Sequence, residues 1–172
     1  REKGIRYIYD PGQQIPALSG DDLLDAITGS ALLVTNDYEL EMISKATQRT
    51  RAELRALTGG VITTLGEQGS VIDNGERGSV GIAAPKTVAD PTGAGDTFAA
   101  ALACCIEENV RMEDAISFCN CAGTLVCTKR GAIGMAIPTR EQVLDMMRLH
   151  PARLHMESLQ ALYEKEHKHE IA

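Results

Sequence analysis

The stretch Asp90-Pro91-Thr92-Gly93-Ala94-Gly95-Asp96-Thr97-Phe98 decides how the rest of the chain is read. Small residues precede a single acid, and Phe98, Ala99, Leu102, Cys105 and Ile106 then mark an apolar helical run. Glycine lets the backbone turn tightly and bring its N–H groups close to a ligand. A helix start adds unpaired N–H donors and the positive end of the helix dipole. Together these describe an anion site, with phosphate the natural anion. Asp96 conflicts with it, because a carboxylate would repel a phosphate that shares the same donors. The conflict disappears if Asp96 takes a proton from a hydroxyl while the N–H groups hold the phosphoryl group that the hydroxyl attacks. That is phosphoryl transfer with a carboxylate base. The plain alternative is a helix cap after a glycine turn, and Gly-Ala-Gly-Asp alone would favour it.

Composition sets the frame. With 172 residues the chain has room for one domain with a real core. Apolar residues at 44% and charged residues at 24% are the balance of a soluble globular protein. A net charge of −7 argues against nucleic acid as a partner, and 3% aromatics without Trp argue against base stacking. No apolar run is long enough to span a membrane, and no signal peptide opens the chain. The first residue is Arg1, not Met, which reads as the start of a fragment. Five cysteines (Cys104, Cys105, Cys119, Cys121 and Cys127) form neither an even set nor a C-x-x-C. They fall in apolar helical stretches and read as small hydrophobes in a reducing cytoplasm.

In chain order, residues 6–9 read as a strand running into the turn Asp10-Pro11-Gly12, with Gln13 and Gln14 in the loop. Ser19-Gly20-Asp21-Asp22 opens a helix that Gly29 closes, and Ala31-Leu32-Leu33-Val34 suits a buried parallel strand. Asn36-Asp37-Tyr38-Glu39 starts the next helix, with Leu40, Ile43 and Ala46 facing inward. Asn36 and Glu39 share a face, as in a capping box. Residues 51–57 form a third helix, residues 61–65 a strand, and residues 66–70 a turn. Asn74-Gly75 signals a hairpin pairing residues 71–73 with residues 79–83. Residues 94–108 form a helix. The next carries Met112, Ala115, Ile116, Cys119, Ala122, Gly123 and Val126 on its buried side, and Asn120 as a polar residue of the kind usually found satisfied at a surface. Thr139 caps a last helix with Val143, Met146 and Met147 inward. Residues 151–172 form a charged tail in which Leu154, Leu159 and Leu162 anchor a short helix and His167 and His169 stay solvated. Alternation of strands and helices over residues 5–65 implies an α/β fold with a mostly parallel sheet.

The full string from Asp90 to Phe98 resembles the C-terminal signature of the ribokinase family, the PfkB-type sugar and nucleoside kinases. Asn36-x-x-Glu39, Thr64-x-Gly66-x-x-Gly69 and the Gly131-Ala132 loop follow the same family's order. The resemblance implies a ribokinase-like three-layer α/β/α sandwich, with residues 1–150 the C-terminal part of the kinase domain. It implies a cytoplasmic, ATP-dependent phosphotransferase acting on a hydroxymethyl group of a small nucleoside or sugar. Residues 10–14, 18–20 and 35–39 look most like bacterial adenosine kinases; another sugar kinase of the family is the alternative. Asp96 would be the base, with Gly93, Ala94 and Gly95 around the transferred phosphoryl group. Asn36, Thr64, Gly66, Gly69, Asn120 and Ala132 would border ATP. Asn36 and Glu39 would hold Mg²⁺ through water. Asp90 and Thr92, with carbonyls near Val126, Lys129 and Gly131, would border K⁺; the other reading of Asp90 is a plain turn before Pro91. Asn36, Thr64 and Asp96 are expected at the C-terminal ends of strands. The family's N-terminal half, with its lid, most substrate contacts and a lid-mediated homodimer, has no counterpart in this chain. A non-catalytic nucleotide-binding module therefore stands beside the kinase reading.

Overall fold

The computed structural model describes residues 4–75, 77–81, 87–130, 137–149 and 156–158. They fall into two compact units, one built on Arg1–Gly66 and Val71–Arg77, the other on Glu67–Ser70 and Gly78–Ala172.

In the first unit, strand β1 (Ile8–Tyr9) and a 3-10 helix (Gly12–Ala17) lead into α1 (Gly20–Ile27). β2 (Leu32–Asn36), α2 (Asp37–Thr47), α3 (Arg51–Leu57), β3 (Val61–Thr64) and most of β4 (Ser70–Asp73) follow. The strands lie in the order β1-β2-β3-β4. β1 and β3 both run parallel to β2, with Ile8 opposite Leu32 and Leu33 opposite Val61. Leu33 and Val61 therefore share a face, and they pack with Leu23, Ile27, Leu40, Ile43 and Leu54 of the three helices. Leu32, Val34 and Ile62 on the other face are buried as well, so these short apolar strands are covered on both sides.

Each of α1, α2 and α3 starts with a reciprocal capping box: Ser19 with Asp22, Asn36 with Glu39, and Thr50 with Glu53. The strand entrances are stitched by buried polar contacts. The hydroxyls of Ser30 and Thr58 lie 2.7 Å apart, and the Gly59 N–H donates to the Ser30 carbonyl at 3.0 Å. Gly59 is required there, because a Cβ would sit 2.4 Å from the Ala31 carbonyl oxygen.

The second unit contains α4 (Ala94–Glu107), α5 (Met112–Cys127), α6 (Arg140–Leu149) and an antiparallel pair, most of β5 (Arg77–Val80) with β6 (Met156–Ser158), in which Gly78 faces Ser158. α5 is buried nearly all round, and Cys121 and Ala122 pack with Val143 of α6. α6 is boxed by an amide: Thr139 Oγ1 accepts from the Gln142 N–H and Gln142 Oε1 from the Thr139 N–H. All five cysteines are unbridged. No helix among the described residues is long and apolar enough to cross a membrane.

Several expectations need correction. Gln13 and Gln14 lie in a 3-10 helix, not a loop; its turns close by Gln14 N–H to Pro11 O and Leu18 N–H to Ile15 O, and Ile15 is buried. Ala46 is exposed, and Thr47 takes the inward place with its hydroxyl bonded to the Ile43 carbonyl. β5 begins two residues before the expected strand at 79–83, of which residues 82 and 83 lie outside the described residues. Residues 156–158 are a strand, not part of a tail helix; Leu154, Leu159, Leu162, His167 and His169 lie outside the described residues.

Gly59→Ala is expected to lower stability by at least about 1–3 kcal/mol, the cost of forcing atoms into a filled space. A thermal unfolding midpoint equal to wild type would show that the Ala31 approach can relax.

Candidate active site

Two groups of the expected site residues form, one in each unit. In the first unit, Asn36 and Thr64 are register partners at the C-terminal ends of β2 and β3. Asn36 is both the last residue of β2 and the cap of α2, so the strand enters the helix without a loop. Its Oδ1 accepts from the Glu39 N–H at 2.7 Å, and its own N–H donates to Glu39 Oε2 at 2.8 Å. The plain capping function is therefore real. Glu39 Oε1 makes no hydrogen bond among the described residues. Thr64 Oγ1 donates to the Thr35 carbonyl at 3.4 Å, and Gly66 then turns the chain at φ 58°.

The second unit holds the other group. Gly93 sits at φ 82°, a left-handed conformation that suits glycine, and α4 starts immediately after it. Unlike α1, α2 and α3, α4 has no side-chain cap. Ala94 N–H donates to the Pro91 carbonyl at 3.2 Å and Thr97 N–H to the Gly93 carbonyl at 2.9 Å. The N–H groups of Gly95 and Asp96 lie in the first turn, where a helix offers no acceptor of its own. The Asp96 side chain is exposed in that turn. It follows no described strand directly, whereas Asn36 and Thr64 stand at strand ends as expected.

Behind this turn is α5. A Cβ on Gly123 would come within 3.3 Å of the Ala94 carbonyl oxygen, so the small residue sets how closely α5 approaches α4. The N–H groups of Ala89 and Asp90 both donate to the Cys127 carbonyl, at 2.7 and 3.2 Å. This docks the Asp90 loop against the C-terminal end of α5, beside Val126 and Lys129. Asp90 Oδ1 accepts from the Thr92 N–H at 2.9 Å, the turn role of the plain reading. The Val126 carbonyl receives the Lys129 N–H at 3.1 Å. Gly131 and Ala132 lie outside the described residues. Among the described residues no three His, Cys, Asp or Glu side chains gather as a metal cluster.

Gly69 is buried at φ 91°, completing the turn that Gly66 begins in sequence. Asn120 is not a surface residue. It is buried on α5 and hydrogen-bonded to Ser70 and Gly81. Ser70 was missed by sequence reasoning; its one signal is a hydroxyl between a turn glycine and an apolar strand.

Comparison with known proteins bears on these groups. The model of the pfkB family of carbohydrate kinases matches residues 2–140. A fructokinase of Solanum tuberosum is 31% identical over 160 residues, covering 86% of this chain and 48% of that protein. A ribokinase of Lactococcus lactis subsp. lactis is 31% identical over 134 residues, covering 78% of this chain and 43% of that protein. Among solved structures, a Burkholderia thailandensis nucleoside kinase in complex with inosine superposes with a TM-score of 0.82 at 27% identity, covering 88% of this chain and 51% of its own. The chain thus spans about half the length of these proteins, and its fold is of their α/β type with a mostly parallel sheet.

Asn36→Ala should cost about 0.5–2 kcal/mol of stability in urea unfolding, as loss of a helix cap does, while Asn36→Asp keeps the accepting oxygen and stays near wild type. Equal stability of all three proteins would remove the cap from the account of Asn36.

Proposed function

This chain belongs to the pfkB family of carbohydrate kinases, and we propose that it is the nucleotide-binding and catalytic half of an ATP-dependent kinase. The acceptor would be a hydroxymethyl group of a sugar or nucleoside. Relatives named fructokinase, ribokinase and nucleoside kinase support that class. Adenosine, the narrower reading of residues 10–14, 18–20 and 35–39, has no support from them. The observation that carries the proposal is the uncapped start of α4 behind left-handed Gly93, with Asp96 exposed beside open N–H groups.

In this mechanism Asp96 takes the proton of the acceptor hydroxyl as that oxygen bonds the γ-phosphorus of ATP. The bond from the γ-phosphorus to the β–γ bridging oxygen breaks, and ADP leaves. N–H groups of Gly93, Gly95 and Asp96 stabilise charge on the transferred oxygens, whereas the Ala94 N–H is held by the Pro91 carbonyl. Residues 64–69 hold the nucleotide by close backbone approach. Asn36 and Glu39 would hold hydrated Mg²⁺, whose bound charge neutralises the phosphate oxygens; the unbonded Glu39 oxygen fits contact through water. Asp90, Thr92 and carbonyls at the end of α5 would border K⁺. A cytoplasmic enzyme with a small-molecule substrate belongs to the same reading.

Asp96→Asn keeps the side chain's shape and removes the base. In the full enzyme carrying this chain, kcat should fall by about 10²–10⁴, the usual worth of a general base. ATP affinity, measured by calorimetry, should stay near wild type. Near-normal kcat would reduce Asp96 to a helix-start residue. ATP binding without turnover of any sugar or nucleoside would favour a non-catalytic nucleotide-binding module.

A further inference from the structure

Asn120 and Ser70 are 6% and 1% exposed, and a buried amide is costly unless its donors and acceptor are used. Both ends of the Asn120 amide bond the protein. Ser70 Oγ lies 3.0 Å from Oδ1, and Nδ2 donates to the Gly81 carbonyl at 3.3 Å. A carbonyl only accepts, so Gly81 decides which end of the amide faces it. Oδ1 is thereby left to Ser70, whose hydroxyl must donate. Ser70 ends the segment 67–70, which carries left-handed Gly69, and Gly81 follows β5. One side chain on α5 therefore ties two segments that lie 50 and 39 residues away in sequence.

We propose that Asn120 is a positioning residue, which holds residues 67–70 and Gly81 in the conformation that nucleotide binding needs and does not itself hydrogen-bond the nucleotide. This rests on the reading that residues 64–69 hold ATP. It departs from the expectation that Asn120 borders ATP directly, because its amide groups already have protein partners. Ser70 becomes its working partner: removing either side of their bond should release the same segment.

The test uses the chain with Ser70→Ala, Asn120→Leu and the double variant, each titrated with Mg·ATP by calorimetry and followed by amide hydrogen exchange. Each single variant should weaken ATP binding by about 3- to 30-fold, a part of the worth of a buried hydrogen bond. The double variant should be no weaker than Asn120→Leu, since both changes break one link. Exchange should quicken at residues 67–72 in all three variants, and at residues 78–81 where Asn120 is replaced, and stay slow in α4. Additive losses, or an unchanged Ser70→Ala, would mean direct contact with the nucleotide and overturn the proposal. Unchanged exchange at those two segments would overturn it as well. If Asn120→Leu does not fold, Ser70→Ala alone carries the ATP titration and the exchange readout at residues 67–72. Failure of the underlying kinase reading looks different: wild type binds no Mg·ATP, yet exchange in the variants still quickens in the same pattern.

Discussion

Parallel pairing of β2 with β3 is the constraint on which the first unit depends. Parallel neighbours cannot be joined by a tight turn, so the chain between them must cross over, and here it does so through α2 and α3. Four residues pair in register, from Leu33 with Val61 to Asn36 with Thr64. That register puts Leu33 and Val61 under the helices and brings two polar residues together where the strands end. At the other end of the strands, the close pass of Gly59 over Ala31 and the Ser30–Thr58 contact hold the entrances in place. The polar edge that faces a ligand in the proposed mechanism is thus a by-product of how the core is aligned.

The second unit is organised by α5. Most of its residues between Ala115 and Val126 are small, and nearly all are buried. A helix so enclosed has no solvent face on which to place Asn120, which explains why that residue is bonded and not solvated. Two thiols of α5 are held in their protonated form. Burial pushes Cys121 up to about 11, and the hydrogen bond with Cys105, with burial second, raises Cys119. Thiols that stay protonated pack as small apolar groups.

Much of this was legible because it is local. Ser19-Gly20-Asp21-Asp22 and Asn36-x-x-Glu39 mark helix starts within four residues, and the structure begins each helix at the residue after Ser19 and after Asn36. The glycine turn before α4 was legible at Gly93, and its left-handed conformation came with the structure. The missed features depend on distant partners. Nothing near Asn120 in sequence announces Ser70 or Gly81. The 3-10 helix over Gly12–Ala17 draws on burial of Ile15 among α1, α2 and α3, which short-range reading does not supply.

The repeated capping boxes link folding to protons unequally. Asp22 and Glu53 are held below the usual carboxylate range, mainly by Ser19 and Thr50, which bond their ionised forms. A depressed folded-state value means that this support is present above the ordinary carboxylate range and fades as acid titrates through the lowered values. The box on α6 is closed by Gln142, which has no proton to gain at such pH. Acid therefore weakens the caps of α1 and α3, whereas the box on α6 has no group that titrates there.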